Sequence, residues 1–399
     1  MTQAFNLGLL ANNVNSSGKL DSSVGLVNAT PVANGGTNLT TFGATGNMLI
    51  ADTASSLSAV TMPSFGFKNR IINGAMVIDQ RNAGASVSNS GPITFISDRW
   101  YSQGVNSAGV FSSQQVTDAP TGFSYSNKLT VTTNSTPSGT QTYKYIQRIE
   151  GYNLADFNLG LSTCASFTLS FWVKSSLTGT FGGSFWGAGA TRWFVFSYSI
   201  SSANTWEYKT VTITPITSGS FDTTNGIGLQ LTFNIGASSS SLTTANAWNS
   251  GSTEYYGPTG QTNIISTNGA TWQVTGVQLE KGSTATSFDY RPYGTELQLC
   301  QRYYQIYVGS GGGLQLFGRA NAPSGGVSFP VIMSPYPVQF RASPTVTFIG
   351  TWNTSNATQP ATSGGNASAP AITFNSSASG DCYVYVNSSS MGFNASAEL

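Results

Sequence analysis

The segment Ser166-Phe-Thr-Leu-Ser-Phe-Trp-Val173 alternates large apolar residues with hydroxyl residues, the period-2 signature of a β-strand. Similar runs recur on both sides of it: Leu129-Thr-Val-Thr132, Tyr143-Lys-Tyr-Ile-Gln-Arg-Ile149, Arg192-Trp-Phe-Val-Phe-Ser-Tyr-Ser-Ile200, Tyr208-Lys-Thr-Val-Thr-Ile213, Ile227-Gly-Leu-Gln-Leu-Thr-Phe233 and Thr271-Trp-Gln-Val-Thr-Gly-Val-Gln-Leu279. Each is bounded by Gly, Asn, Ser or Pro, and none shows a helix-length 3.6 periodicity. Short strands with turn chemistry between them predict an all-β fold: an antiparallel sandwich over residues 67–294, of a size that suits a large jelly roll.

Working outward, the sheet pattern stops at Arg291-Pro-Tyr-Gly294. Thr295-Glu-Leu-Gln-Leu-Cys-Gln-Arg-Tyr-Tyr304 then reads as one short linking helix, with Thr295 and Gln298 in a capping-box arrangement and an apolar stripe of Leu297, Cys300 and Tyr304. Beyond it, Leu314–Arg319, Val327–Met333, Thr345–Ile349, Ala371–Phe374 and Tyr383–Val386 read as strands of a small C-terminal β head over residues 295–399, with Gly309–Gly313 as one of its loops. Upstream, residues 1–66 are Asn, Ser, Thr and Gly punctuated by short apolar pieces, none able to make a core alone. They fit either a disordered linker or a thin shaft intertwined with copies of itself.

Composition removes most chemistry. Among 399 residues there are 16 Lys plus Arg and 15 Asp plus Glu, 8% charged, where about 25% is usual. No histidine is present, which excludes Ser-His-Asp and Cys-His hydrolases and His-ligated metal sites. A net charge of +1 leaves no electrostatic footprint for nucleic acid. With 39% hydrophobic and 12% aromatic residues, the chain as a whole is not of the disordered class. Ser and Thr replace the missing charge at roughly a quarter of the chain, as sheet surfaces and turns require. No apolar run is long enough to span a bilayer, so no membrane insertion is expected, and Met1–Asn12 does not read as a signal peptide. Cys164, Cys300 and Cys382, odd in number and widely spaced, read as buried thiols rather than disulfides or metal ligands.

Paired carboxylates are the remaining catalytic device. Asp79 beside Arg81, and Asp98 beside Arg99, read better as structural salt bridges or turns, and Glu280 as a polar strand end. No catalytic, cofactor-binding or metal-ligating residues are expected. Aromatic side chains on loops suit sugar recognition, because the C–H face of a pyranose stacks on a ring while its hydroxyls need fixed polar partners. Trp186, in the glycine-rich stretch Phe181–Trp193, and Trp248, Tyr255 and Tyr256, in the polar stretch 245–257, fit that description. So do Tyr336 in Pro335-Tyr-Pro337 and Trp352 in Thr351-Trp-Asn353. For each, the competing role is a buried ring filling a core; Trp172, Trp193 and Trp272, inside alternating strands, read as core.

The stretch Asn69-Arg-Ile-Ile-Asn-Gly-Ala-Met-Val-Ile-Asp-Gln-Arg-Asn82, followed by Ser97-Asp-Arg-Trp100, closely resembles the opening of a β-sandwich domain found in many bacteriophage tail fibre proteins. Val277-Gln-Leu-Glu-Lys-Gly-Ser-Thr-Ala-Thr-Ser-Phe-Asp-Tyr-Arg-Pro-Tyr293 and Glu296–Tyr304 resemble that domain's last strand and following helix, and Leu10–Ser17 with Pro31–Thr37 resembles fibre-shaft sequence. The resemblance implies a virion component, a homotrimer whose N-terminal shaft attaches to other phage tail proteins. Its carbohydrate-binding-module-like sandwich and C-terminal heads would adhere to host surface glycan such as lipopolysaccharide, without cofactor or catalysis. It favours the trimeric shaft for residues 1–66. A structural fibre or adaptor subunit without receptor binding is the alternative, and a polysaccharide depolymerase a more remote one.

Overall fold

The computed structural model describes residues 47–53, 56–61, 67–187, 189, 191–309, 316–331, 333 and 335–399. The chain divides into two compact units, Met1–Gly66 and Phe67–Leu399. In the first, β1 (Asn47–Thr53) and β2 (Ser56–Thr61) form an antiparallel pair. The rest of the expected shaft lies outside the described residues.

The second unit opens with the antiparallel sandwich expected from the sequence. Its strands are β3 (Val87–Asn89), β4 (Thr94–Ser97), β5 (Trp100–Val105), β6 (Val110–Val116), β7 (Ser126–Thr133), β8 (Thr142–Glu150), β9 (Phe167–Ser175) and β10 (Gly179–Gly187). They continue through β11 (Arg192–Ile200), β12 (Glu207–Ile213), β13 (Ile227–Ala237), β14 (Leu242–Thr243), β15 (Ala247–Ser250), β16 (Gly257–Pro258) and β17 (Thr271–Lys281). A seven-stranded sheet runs in the order β15-β11-β10-β13-β8-β5-β4, and a six-stranded sheet in the order β12-β9-β17-β7-β6-β3. Phe167, Leu169, Phe171 and Val173 of β9 are all buried in the core between them. Edge-on ring contacts cross the core, Phe171 to Phe233 at 5.0 Å and Phe167 to Phe185 at 5.7 Å between centroids. Burying each such side chain stabilises the fold by about 1.5–3 kcal/mol.

One strand contradicts the sequence reading. The glycine-rich stretch carrying Trp186 is not a loop but β10, hydrogen-bonded on both sides within the sheet. Its glycines answer to packing: a Cβ on Gly183 would sit 2.0 Å from the Thr232 carbonyl oxygen, and one on Gly187 2.2 Å from the Phe221 ring.

Helix α1 (Tyr293–Gln301) begins two residues earlier than expected, with Pro292 at the N-cap position and no side-chain cap. The Thr295/Gln298 capping box therefore does not form, since Thr295 already lies inside the first turn. Tyr304 opens a strand instead of closing the helix. Cys300 and Tyr303 pack on Ile72 and Ile78, joined by Leu297, Leu299 and Leu399.

The head comprises β18 (Tyr304–Val308), β19 (Leu316–Ala322), β20 (Ser328–Pro330), β21 (Thr345–Ile349), β22 (Asn353–Ser355), β23 (Ala361–Gly365), β24 (Pro370–Asn375), β25 (Gly380–Val386) and β26 (Gly392–Ser396). These form three-stranded sheets β18-β26-β21, β19-β25-β22 and β20-β24-β23 around a separate core that includes Phe340, Trp352, Phe374, Val384 and Phe393. The glycine run after Gly309 lies outside the described residues.

Ion pairs join head to sandwich. Glu150, 1% exposed, accepts from Arg302 Nη2 at 2.6 Å, Arg302 Nε at 3.0 Å and Tyr303 Oη at 2.5 Å. Arg81 and Arg99, read with Asp79 and Asp98 as forming structural salt bridges or turns, both pair with Glu398. Arg81 lies over the Tyr304 ring at 3.6 Å and Arg99 over Tyr303 at 3.5 Å. Asp79 serves a turn, accepting the Asn82 and Gly84 N–H groups at 3.0 and 2.7 Å. Cys164, Cys300 and Cys382 are buried free thiols.

Candidate functional site

The outward face of the six-stranded sheet carries an aromatic groove. With Phe171 and Val173 in the core, Trp172 between them faces the other way, as strand alternation requires. Tyr208 of β12 stands directly opposite it in register, with ring centroids 5.4 Å apart. On the neighbouring strand the β17–β9 register slips between Thr275 and Gln278, a bulge centred on Gly276 at φ +61°. A Cβ there would lie 2.7 Å from Phe123 and 3.1 Å from Trp172, so the absent side chain lets those two rings approach across the strand.

Two loops raise the other wall. Residues 282–290 fold back over β17, pinned by buried polar side chains. Glu280 accepts the Thr286 N–H at 2.9 Å and its hydroxyl at 2.6 Å, while Gln278 Oε1 accepts the Asp289 N–H at 2.8 Å. Glu280 is thus a loop anchor rather than a simple strand end. The pinned loop delivers Phe288 and Tyr290, which pack on Phe123 from the second loop with centroid separations of 5.1 and 5.5 Å. Tyr290 Oη donates to the Gly122 carbonyl at 3.0 Å, tying the loops together.

The resulting groove has a volume of about 580 Å³, and its lining residues are all uncharged: five aromatic rings, the hydroxyls of Thr121, Ser170, Thr286 and Ser287, Gly276 and Ala285. Tyr208 and Tyr290 are 44% and 59% exposed, unusual for such large rings. Past Trp172 on β9, Lys174 pairs with Asp118, which also accepts from Trp206 Nε1 at 3.3 Å. Burial pushes Asp118 upward, but the hydrogen bonds from Lys174 and Trp206 outweigh it and hold the carboxyl below its ordinary value. The groove can stack apolar faces and exchange hydroxyl hydrogen bonds, and none of its lining residues is Asp, Glu, Lys or Arg. Among the described residues no group of His, Cys, Asp and Glu is placed to hold a metal ion, and no helix is long and apolar enough to cross a membrane.

The six residues singled out from the sequence do not form one site: Trp186, Trp248 and Tyr256 gather around β11, and Tyr336 and Trp352 lie in the head. Trp186 is half-buried on β10 and stacks on its cross-strand partner Trp193, centroids 5.4 Å apart and planes 18° from parallel. Trp248 packs beside the sandwich core and donates from Nε1 to the Thr214 carbonyl at 2.8 Å. Tyr256 is buried, edge-on to Trp193 and beneath Lys144, while Tyr255 next to it is half-buried. Tyr336 and Trp352 both belong to the head core; Trp352 is 2% exposed and donates to the Gly392 carbonyl at 3.0 Å. Trp172, read as core, is corrected to the groove floor. The signal for it was present in Ser166–Val173, where the alternation assigns Trp172 to the face opposite Phe171.

No protein-family model matches the chain, and no curated protein matches it. Among solved structures it is similar to the enzymatically active domain of tailspike protein 4 from bacteriophage CBA120 (14% identity, TM-score 0.27), over 54% of this chain and 21% of that one. The chain thus spans about a fifth of the length of that tailspike domain. It is also similar to a CBM4 structure (13% identity, TM-score 0.25), over 53% of this chain and 98% of that one. A third likeness is to the family 11 carbohydrate-binding module of Clostridium thermocellum in complex with a β-1,3-1,4-mixed-linked tetrasaccharide (11% identity, TM-score 0.25), over 47% and 91% of the two chains. At these scores the likenesses carry no functional argument.

Proposed function

We propose that the chain is a glycan-binding subunit of a bacteriophage tail fibre, adhering the virion to host surface saccharide such as lipopolysaccharide through the groove on its sandwich. The observation that carries the binding reading is the groove itself: exposed rings on both walls, hydroxyls between them and no charged lining residue. A saccharide offers the matching surface, apolar C–H faces edged by hydroxyls. The tail-fibre assignment is supported by the resemblance of residues 69–82, 97–100 and 277–304. It brings with it a homotrimer, attachment to tail proteins through residues 1–66, and the absence of catalysis.

Each shallow site binds weakly in this reading. Three copies per fibre and several fibres per particle raise avidity by orders of magnitude, about 10²–10⁴-fold for linked sites. A nearly neutral chain suits this, because it avoids unspecific capture by anionic envelopes.

The test is competition. The intact chain should block phage adsorption to host cells and bind extracted lipopolysaccharide, and a Trp172→Ala/Tyr208→Ala double variant should lose both activities while sedimenting as the wild type does. Failure of the wild-type chain to compete would leave a structural fibre or adaptor subunit. Release of reducing ends from host polysaccharide would point instead to depolymerase activity.

A further inference from the structure

Strands β8 and β13 bring an amine and a carboxamide together where both are buried. Lys144 and Asn234 are direct cross-strand partners. Their chain neighbours Tyr143, Tyr145, Phe233 and Ile235 fill the sandwich core, so strand alternation turns both side chains to the other face of the seven-stranded sheet. That face is covered here, leaving Lys144 4% and Asn234 2% exposed. Side chains directly opposed in this way have Cβ atoms about 4.5–5.5 Å apart, which puts a lysine amine within reach of an asparagine carbonyl carbon.

The surroundings suit a reaction between the two. Lys144 Nζ lies over the Tyr256 ring, 4.2 Å from its centroid, and Glu254, whose charge reaches Lys144, is bonded to the Tyr256 hydroxyl. Burial brings the Lys144 amine down to about 8, so a fraction on the order of a tenth is neutral and nucleophilic at pH 7. Asn234 Oδ1 accepts the Gly236 N–H at 2.9 Å, which polarises the side-chain carbonyl as an oxyanion donor does. Asn234 Nδ2 is buried with no hydrogen-bond partner, so no bond holds the nitrogen that would leave. A cavity of about 300 Å³, lined among others by Thr142, Glu254 and Tyr256, adjoins Lys144.

We propose that Lys144 and Asn234 join in an intramolecular isopeptide bond, with Glu254 carrying the proton. Nζ attacks Asn234 Cγ: the Nζ–Cγ bond forms, the Cγ–Nδ2 bond breaks, and a proton passes from Nζ to Nδ2 by way of Glu254, so that ammonia departs into the cavity. One amide replaces another and one amine replaces another, so no oxidant, reductant or external reactant is needed. Gln103, the cross-strand partner of Lys144 on β5, offers the same functional group but is only half-buried, and no hydrogen bond polarises its carbonyl. The bond would lock β8 to β13 at the centre of the seven-stranded sheet. It is independent of the glycan-binding reading.

The experiment is mass spectrometry of the full wild-type chain, folded, incubated and then denatured. Its intact mass should lie one ammonia, about 17 Da, below that of the sequence. Tryptic digestion should yield a branched species joining residues 129–148, uncut after Lys144, to residues 210–281. Lys144→Arg, which keeps a cation at that position, should restore the full mass. In Glu254→Gln the branch should form on the order of 10²-fold more slowly, with near-UV dichroism matching the wild type. Wild-type chain cut after Lys144, with residues 210–281 recovered as a linear peptide, overturns the proposal. So does a 17 Da loss carried by a linear peptide, as a succinimide would give, or a branch to the peptide carrying Gln103. Branching at the wild-type rate in Glu254→Gln removes Glu254 from the reaction. None of these readouts involves a saccharide, so either result leaves the groove reading to its own test.

Discussion

Trp172 and Tyr208 face each other in register across β9 and β12, their ring planes tilted by 49°, on the side of the sheet turned away from the core. Neither ring fills the core, so binding and stability should separate at these positions. Trp172→Ala and Tyr208→Ala are each expected to weaken glycan binding by about 1 kcal/mol, roughly fivefold. Calorimetric titration with host glycan would measure this alongside thermal melts. A collapse of the melting transition would place the residue in the scaffold instead.

Gly276 should tolerate no side chain. Its φ of +61° and the 2.7 Å approach to Phe123 make Gly276→Ala both strained and crowded. The expected loss is about 1–3 kcal/mol of stability in urea unfolding. Glycan affinity should fall as well, because Phe123 must shift, whereas Gly294→Ala, inside α1 with open space at its Cβ, should leave affinity unchanged and stabilise by up to about 1 kcal/mol.

At the sandwich–head junction the two ends of one ion pair differ in exposure, 34% for the Arg302 side chain and 1% for Glu150. Removing the arginine strands a buried carboxylate, so Arg302→Ala should cost about 3 kcal/mol. Glu150→Gln keeps hydrogen-bonding capacity and discards the charge, so about 1 kcal/mol is expected. Denaturant midpoints of the two variants give the order; equal losses would mean that the carboxylate is not carrying a buried charge.

Asp98 makes stability fall with rising pH over a defined window. Burial raises its carboxyl from 3.8 to about 6, outweighing the attraction of Arg81. Below about pH 4 the group is protonated in folded and unfolded chains alike, and its contribution is fully present. Between 4 and 6 the unfolded chain has released the proton that the folded chain keeps, so this contribution is lost as pH climbs through 6. Relative to Asp98→Asn, the wild type should lose on the order of 2–3 kcal/mol across that interval, visible as diverging thermal midpoints. Parallel curves for the two proteins would contradict it.

Trp352 should behave as a core residue. Trp352→Ala empties a site closed by Phe348, whose ring stands edge-on to it with a centroid separation of 5.8 Å, and removes the indole N–H that donates to the Gly392 carbonyl. A loss of about 3–5 kcal/mol is expected, in near-UV dichroism of the head's aromatic residues during unfolding.

The sandwich was legible because its strands mostly announce themselves by alternation, as in Arg192–Ile200, which forms β11 over the same residues. What escaped was decided by neighbours rather than by local pattern. β10 has the composition of a loop because Gly182, Gly183 and Gly187 make room for Pro258, Phe196 and Phe221, none visible from the stretch itself. β26, Gly-Phe-Asn-Ala-Ser, lacks β-branched residues and is held as a central strand by β18 and β21 on its two sides. The groove was half legible. Alternation alone puts Trp172 opposite Phe171, but its meaning depended on Phe123 and Tyr290, brought in by loops remote in sequence. Trp352 and Tyr256 show the opposite limit: their stretches read as polar loops, yet the structure covers both rings.

Glu398 clamps Arg99 across a separation of 299 residues and Arg81 across 317. At a synthesis rate of about 5–20 residues per second, the arginines would wait on the order of 15–60 s for their partner. The two guanidinium groups therefore acquire this shared carboxylate only after residue 398 has been added, long after the sandwich strands around them have been made.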